Sequence, residues 1–124
     1  MKAVRIPLLV LLAVLCFVLW NALWVTDRCT EWTASLDAVT AALDGGGSGS
    51  AALDALTAQW QDVQGYMHIV VSHAELDEAE SLLAQAKALS AQGSREALYP
   101  VLAQLRHQFR LIAETQQLSP KNIF

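Results

Sequence analysis

Four side chains that could bind a metal ion lie near the middle of this 124-residue chain. His73, Asp77 and Glu80 are four and three residues apart, so one helix face could carry all three, and His68 precedes them by five residues. Imidazole and carboxylate groups are ligands for zinc and similar ions. The spacing matches neither the His-Glu-x-x-His motif nor the Glu-x-x-His pairs of di-iron bundles. We therefore expect a solvated helix face, with a metal site as the alternative.

Other motifs for chemistry are missing from the sequence. The run of glycine and serine at residues 45–50 lacks the preceding strand and the Lys-Ser/Thr pair of a phosphate-binding loop, and is typical of a flexible linker. No serine lies in a G-x-S-x-G elbow, and Cys29 has no histidine near it in sequence. We expect no enzymatic activity, no catalytic residue and no cofactor.

The strongest signal in the chain is an almost continuous apolar run over residues 6–25. At about 1.5 Å per residue, a helix of this length reaches roughly 30 Å and can cross the hydrocarbon core of a bilayer. Lys2 and Arg5 precede the run, which predicts that residues 1–5 stay in the cytoplasm and residues 26–124 lie outside the cell membrane. Trp20 and Trp24 suit the membrane interface, where amphipathic rings prefer to lie.

A cleavable signal peptide is the main alternative for this run. Its apolar stretch is usually about 7–15 residues long and ends at a small-residue cleavage site. Here the run is longer, and the one plausible small residue, Ala22, has the bulky Trp20 two positions before it. We expect an uncleaved signal anchor with a single transmembrane helix.

The part beyond the run is acidic. It holds twelve acidic and six basic side chains, so its net charge is near −6. A surface of this sign repels nucleic acid, and we expect no nucleic-acid partner. Cys29 lies just past the run, where it could cross-link two chains, although a free cysteine is commonly a small buried side chain, which is the interpretation we favour.

Apolar residues three and four apart predict helices over residues 26–44, 51–71, 73–92 and 95–116, each with one buried face. Short links between them favour antiparallel packing. The fold class is thus all-α: an N-terminal transmembrane helix extended into an antiparallel bundle of about four helices. The four apolar stripes are Cys29, Trp32, Leu36, Val39 and Leu43; Leu53, Leu56, Trp60, Val63 and Met67; Leu76, Ala79, Leu83 and Ala86; and Leu98, Leu102, Leu105, Phe109 and Ile112.

Several residues mark the predicted helix ends. Ser50 could cap the second helix, while Ser72 and Glu75 have the spacing of a capping box at the third. Gly93 suits a helix end. Pro100 lies more than one turn into the fourth helix, and predicts either a kink there or a helix that begins near Tyr99.

Two stretches resemble a known family. They are residues 72–80, with Trp60 twelve residues upstream, and the tail at residues 118–124, together with an anchor that ends in Leu-Trp-Asn at residues 19–21. The chain resembles the domain-of-unknown-function family four-three-six-three, small bacterial membrane proteins common in Gram-positive spore formers. The resemblance implies an N-terminal helical anchor followed by helices, and a multi-spanning membrane protein as a possible partner. It implies no activity, ligand or site residue.

The tail carries apolar side chains at a chain end that would otherwise fray. Leu118, Ile123 and Phe124 either fold back onto the bundle or contact a partner. We expect a non-enzymatic accessory module that contacts the lipid bilayer and a membrane protein or a second copy of itself. The alternative function is an extracytoplasmic sensor or binding protein for a metal ion or small ligand.

Overall fold

Residues 2–115 of the chain form four α-helices in a computed structural model, which describes these residues. Helix α1 spans Lys2–Asp44, α2 spans Ser50–Val70, α3 spans His73–Ala91 and α4 spans Arg95–Thr115. No strand occurs in this part of the chain. The predicted all-α class is confirmed, and the apolar run and the first bundle helix are one continuous helix.

The helices form an up-down-up-down bundle. α1 packs against α2 and α4, and α3 packs against the same two helices on the opposite side. Contacts between Trp32 and Trp60, and between Trp32 and Phe109, join α1 to its two neighbours at mid-height. The apolar stripes of all four helices meet in one core. Each stripe occupies one face of its helix, and that face packs against the neighbouring helices.

Three aromatic rings form the centre of that core. The ring centroids of Trp32 and Trp60 are 4.9 Å apart, those of Trp32 and Phe109 are 5.2 Å apart, and those of Trp60 and Phe109 are 6.1 Å apart. Trp32 and Phe109 are fully buried, and Trp60 is nearly so. Aromatic pairs at these distances add about 0.5–1.5 kcal/mol each beyond the area they bury. The three rings therefore hold α1, α2 and α4 together.

Glycines lie in two of the turns that connect the helices. Gly49 precedes α2 with a φ of 73°, and a Cβ at this position would lie 3.1 Å from Cγ1 of Val39. Any other residue would be strained there both in backbone conformation and in space. At the end of α3, Gly93 has a φ of 72°, and the next amide, that of Ser94, donates to the carbonyl of Leu89 at 3.0 Å. This closure matches the helix end predicted at Gly93.

Two predicted caps are not formed. α2 begins at Ser50 itself, and the residue before it, Gly49, has no side chain that could cap the helix. Ser72 does precede α3, but its hydroxyl makes no capping hydrogen bond, and Oε2 of Glu75 is buried without a partner. Burial of the two apolar residues that flank this turn, Val71 and Leu76, fixes the start of α3 instead.

Of the two alternatives that Pro100 left open, the one in which the last helix begins near Tyr99 is wrong. α4 begins at Arg95 and includes Pro100 as its sixth residue. A proline there removes the amide that would bond to the carbonyl of Glu96. Both Pro100 and Glu96 are exposed, so water can take the place of that amide. The predicted contacts of Leu118, Ile123 and Phe124 lie outside the described residues.

Loss of the Phe109 ring should destabilise the whole bundle. Phe109→Ala removes the side chain that contacts both tryptophans, and such a cavity costs about 3–5 kcal/mol. Phe109→Leu keeps most of the volume and should cost less than about 1.5 kcal/mol. Denaturant unfolding of the full chain in detergent micelles, followed by tryptophan fluorescence, measures both; equal losses for the two variants would contradict the central role of this ring.

Candidate functional site

The first part of α1 is exposed, unlike the rest of this helix. Residues 3–20, called here the free stretch, are exposed at every position, while burial begins at Asn21. The mean hydropathy of its most apolar 18-residue window is 2.6, so this helix is long and apolar enough to cross a membrane. An apolar surface of this extent is not stable in water. The free stretch is therefore the largest surface in the described chain that requires another component to cover it.

A polar contact marks the point where the bundle begins. The hydroxyl of Tyr66, on α2, donates a hydrogen bond to Oδ1 of Asn21, whose Nδ2 donates to the carbonyl of Phe17 at 3.0 Å. Asn21 is only 7% exposed. Its hydrogen-bonding groups are thus used within the chain, and the buried amide ties the last turn of α2 to the end of the free stretch.

The aromatic residues near this junction differ in their surroundings. Trp20 is more than half exposed and belongs to the free stretch. Trp24 is partly buried, with its ring edge-on to Tyr66 at a centroid distance of 4.9 Å and the guanidinium of Arg28 at 5.8 Å from its centroid. The predicted interface pair therefore lies at the boundary between the free stretch and the bundle.

A chain of polar contacts runs from the turn between α2 and α3 into the bundle. Nδ1 of His68 lies 3.1 Å from Nδ1 of His73, and Nε2 of His68 lies 3.4 Å from Oε1 of Glu80. The same oxygen accepts the indole N–H of Trp60 at 3.3 Å. Since a carboxylate only accepts, Nε2 of His68 is the donor to Glu80.

These positions only partly form the candidate metal site. His68, His73 and Glu80 come together. His73 contacts Nδ1 of His68 and Glu80 contacts Nε2, so the three side chains cannot all face one ion. Asp77 is exposed and takes no part in these contacts. No group of three potential ligands that could hold a metal occurs within residues 2–115. What the geometry does offer is a pair of imidazole nitrogens 3.1 Å apart.

Cys29 is a core residue. Its side chain is 4% exposed, and burial raises the pKa of its thiol to about 12. A thiol with this pKa is almost wholly protonated at neutral pH and is a poor nucleophile. The expectation of a small buried side chain is confirmed, and the geometry disfavours a cross-link between two chains.

The outer surface of the bundle is polar. Beyond the free stretch, the large apolar side chains that are exposed among the described residues are Leu23 and Ile69. The core buries the four apolar stripes, with Val63 only partly buried, so they leave no second apolar face exposed in the described part of the chain. An open cleft of about 690 Å³ lies at the far end of the bundle, between the glycine linker and the start of α4. Its lining contains Arg95 and Glu96 as its only charged side chains.

Sequence reasoning missed the Asn21–Tyr66 contact and the exposure of Ile69. The signal for the first was present, because Asn21 is the one strongly polar residue in the apolar run. Its partner could not be identified, since Tyr66 is 45 residues away. Ile69 follows the buried Met67 by two residues, which places its side chain on the opposite side of α2, away from the core.

Comparison with known proteins gives one match. The sequence model of a family described as a domain of unknown function, DUF4363, matches residues 19–123. The match thus begins two residues before the first buried residue, Asn21, and includes all the bundle helices. No curated protein matches the chain, and no solved structure does either.

Removal of the Tyr66 hydroxyl should weaken the junction. Tyr66→Phe leaves Oδ1 of the buried Asn21 without its donor, which costs about 1–3 kcal/mol. A double variant with Asn21→Leu removes both polar groups and should recover part of this loss. The matched control is Tyr99→Phe, because the hydroxyl of Tyr99 bonds to Asp44 at the exposed surface and its loss should cost less. Thermal unfolding in micelles measures all three; equal losses for the two tyrosines would contradict a structural junction.

Proposed function

We propose that this chain, which belongs to the DUF4363 family of domains of unknown function, is a non-enzymatic, membrane-anchored helical module that binds a partner protein within the bilayer. The observation that carries the proposal is the contrast along α1. Its free stretch is exposed at every position, while the bundle beyond Asn21 buries its own apolar stripes. Within residues 2–115, the free stretch is thus the one large apolar surface left uncovered, and it has the length and composition of a membrane span.

The continuity of α1 supports a retained anchor over a cleaved signal sequence. Ala22 is the plausible cleavage point, and it lies inside the helix, where its carbonyl accepts a hydrogen bond from Thr26 at 2.8 Å. Cleavage after Ala22 would also remove Asn21 and leave the Tyr66 hydroxyl without its acceptor. A chain that folds as this one does would lose part of its own bundle on processing.

Charge supports an orientation with the bundle outside the cell. Lys2 and Arg5 lie at the start of α1, and the rest of the chain has a net charge near −6. Basic residues are retained on the cytoplasmic side of single-span proteins. The proposal therefore places the N-terminus in the cytoplasm and the bundle on the extracytoplasmic side.

The partner contact is assigned to the free stretch. Packing between helices in lipid depends on close van der Waals contact and not on hydrophobic burial, so an apolar rod can bind one partner on one face and lipid on the others. The partner is an integral membrane protein or a second copy of this chain. The polar surface of the bundle offers no comparable apolar area among the described residues.

Photo-cross-linking in native membranes tests this assignment. A photoactivatable amino acid is placed at Leu12 or at Val14, which are about 200° apart around the helix and are both exposed. A partner on one face of the span predicts a discrete protein adduct from one of these positions and much less from the other. Mass spectrometry of the adduct identifies the partner as this chain or another protein.

The control position is Ala84, which is exposed on α3. It should give no discrete adduct, because it belongs to the polar outer surface. Protein adducts from Ala84 alone, or from neither span position, would contradict a partner within the bilayer.

One specific observation supports a second candidate, a sensor for a metal ion. Nδ1 of His68 and Nδ1 of His73 are 3.1 Å apart, which allows one ion to lie about 2.0–2.1 Å from both. Glu80 contacts the other nitrogen of His68, and carboxylates commonly orient metal-binding histidines in this way. The remaining positions of the ion would be filled by water.

Zinc titration separates this candidate from the first. Binding to the folded chain alone stabilises it by about 2.7 kcal/mol at a hundredfold excess over the dissociation constant. If the candidate is right, zinc raises the melting temperature of the full chain in micelles, and His73→Ala abolishes the increase. His107→Ala is the matched control and should respond as the parent chain does. A melting temperature that zinc does not change would contradict the metal function.

A further inference from the structure

The membrane end of the bundle carries an exposed apolar side chain that the anchor alone does not explain. Ile69, in the last turn of α2, is 79% exposed, more than any other large hydrophobic side chain that the structure describes. Every other large apolar residue of α2 whose side chain is described is buried or partly buried. A single exposed isoleucine is unremarkable in itself, and its meaning depends on where the turn lies relative to the span.

The contacts of Tyr66 show at which level of α1 the end of α2 lies. Tyr66 bonds to Asn21 and packs edge-on against Trp24, so the last turn of α2 lies beside the end of the free stretch. α2 runs antiparallel to α1, and Ile69 is three residues beyond Tyr66, about 4.5 Å further towards the membrane. Ile69 is therefore at the level of the last residues of the free stretch, near Trp20.

The length of the free stretch brings this turn to the lipid surface. Its eighteen residues measure about 27 Å as a helix, slightly less than the roughly 30 Å hydrocarbon core that they must cross. If the span instead ends at Val25, the end of α2 lies even deeper. In either position the turn between α2 and α3 reaches the headgroup region.

The composition of the turn fits that environment. Residues 66–74 contain no Asp, Glu, Lys or Arg, although the chain beyond the apolar run is otherwise strongly acidic. Its polar side chains are Tyr66, whose hydroxyl bonds to Asn21, two histidines and Ser72. Asp77 is the nearest exposed carboxylate along α3. An uncharged turn with one protruding isoleucine can enter the interfacial zone without placing a charge there.

We propose that the turn formed by residues 66–74 is a second membrane contact, in which Ile69 inserts into the interfacial zone of the leaflet at the outer end of the span. The inference rests on the proposed membrane anchor and adds to it that the bundle lies directly on the bilayer. Two attachment points, the span and the turn, fix the tilt of the bundle relative to the membrane. The contact is apolar, so added salt does not release it.

Site-specific fluorescence tests this contact in the full chain. Cys16 and Cys29 are replaced by alanine, and one new cysteine carrying an environment-sensitive dye is introduced at Ile69, at Leu12 or at Ala91 in separate proteins. The chains are reconstituted in phosphatidylcholine vesicles with and without brominated lipids, which quench only a dye in contact with lipid. Leu12 reports on the anchor, and Ala91, exposed at the far end of α3, reports on water.

The expected result is a blue-shifted emission at positions 69 and 12, with lipid quenching there at least about twofold greater than at position 91. Lipid quenching at position 12 without any at position 69 would overturn the second contact while leaving the anchor intact. A blue shift at position 69 without lipid quenching would also overturn it, because a second protein copy would then cover Ile69. No quenching at position 12 would instead refute the anchor itself.

A charge substitution provides an independent measurement. Ile69→Asp should expose a dye at Ser72 to water and reduce its lipid quenching, while a dye at Leu12 stays quenched. Ala84→Asp is the matched control, since it adds the same charge to an exposed position well above the membrane, and it should change neither dye. Equal quenching at Ser72 in the two variants would overturn the assignment of Ile69 as the inserting residue.

Discussion

The structure depends on one uninterrupted helix that belongs to two environments. Residues 3–20 of helix α1 are exposed and almost all apolar, and from Asn21 the helix packs as part of the bundle. A helix cannot change direction between these parts without breaking backbone hydrogen bonds, so the orientation of the first half fixes that of the second. The buried Asn21–Tyr66 hydrogen bond lies at the boundary, where it ties a second helix to the rod. The position of the bundle relative to the membrane, and the level of the α2–α3 turn, both follow from this continuity.

Much of the fold could be predicted because its determinants are local. The spacing of residues such as Leu36, Val39 and Leu43 defines a helix face without knowledge of the rest of the chain, and the core buries that face. Gly93 and the glycine linker mark helix ends for a backbone reason that is also local. Membership of the family was predicted from two short stretches and is confirmed by the match over residues 19–123.

The remaining features depend on contacts between distant residues or on competition between interactions. Ser72 and Glu75 have the spacing of a capping box, yet burial of Val71 and Leu76 determines that turn and no capping bond forms. Pro100 is tolerated because the carbonyl that it leaves free belongs to an exposed first turn. Three of the metal candidates, His73, Asp77 and Glu80, share a helical spacing, but the packing of the bundle determines that Glu80 contacts Trp60 and His68 while Asp77 is exposed. Spacing along one helix predicts which side chains share a face, but not what that face meets.

The central claim is that α1 remains intact as both the anchor and the first helix of the bundle. Mass spectrometry of the chain extracted from native membranes tests it most directly, because an intact mass reports whether residues 6–25 are still joined to the bundle. The account predicts a single species that retains them. A mature species that begins after Ala22 would contradict it, since the span, the Asn21–Tyr66 contact and the placement of the bundle on the membrane would all be absent.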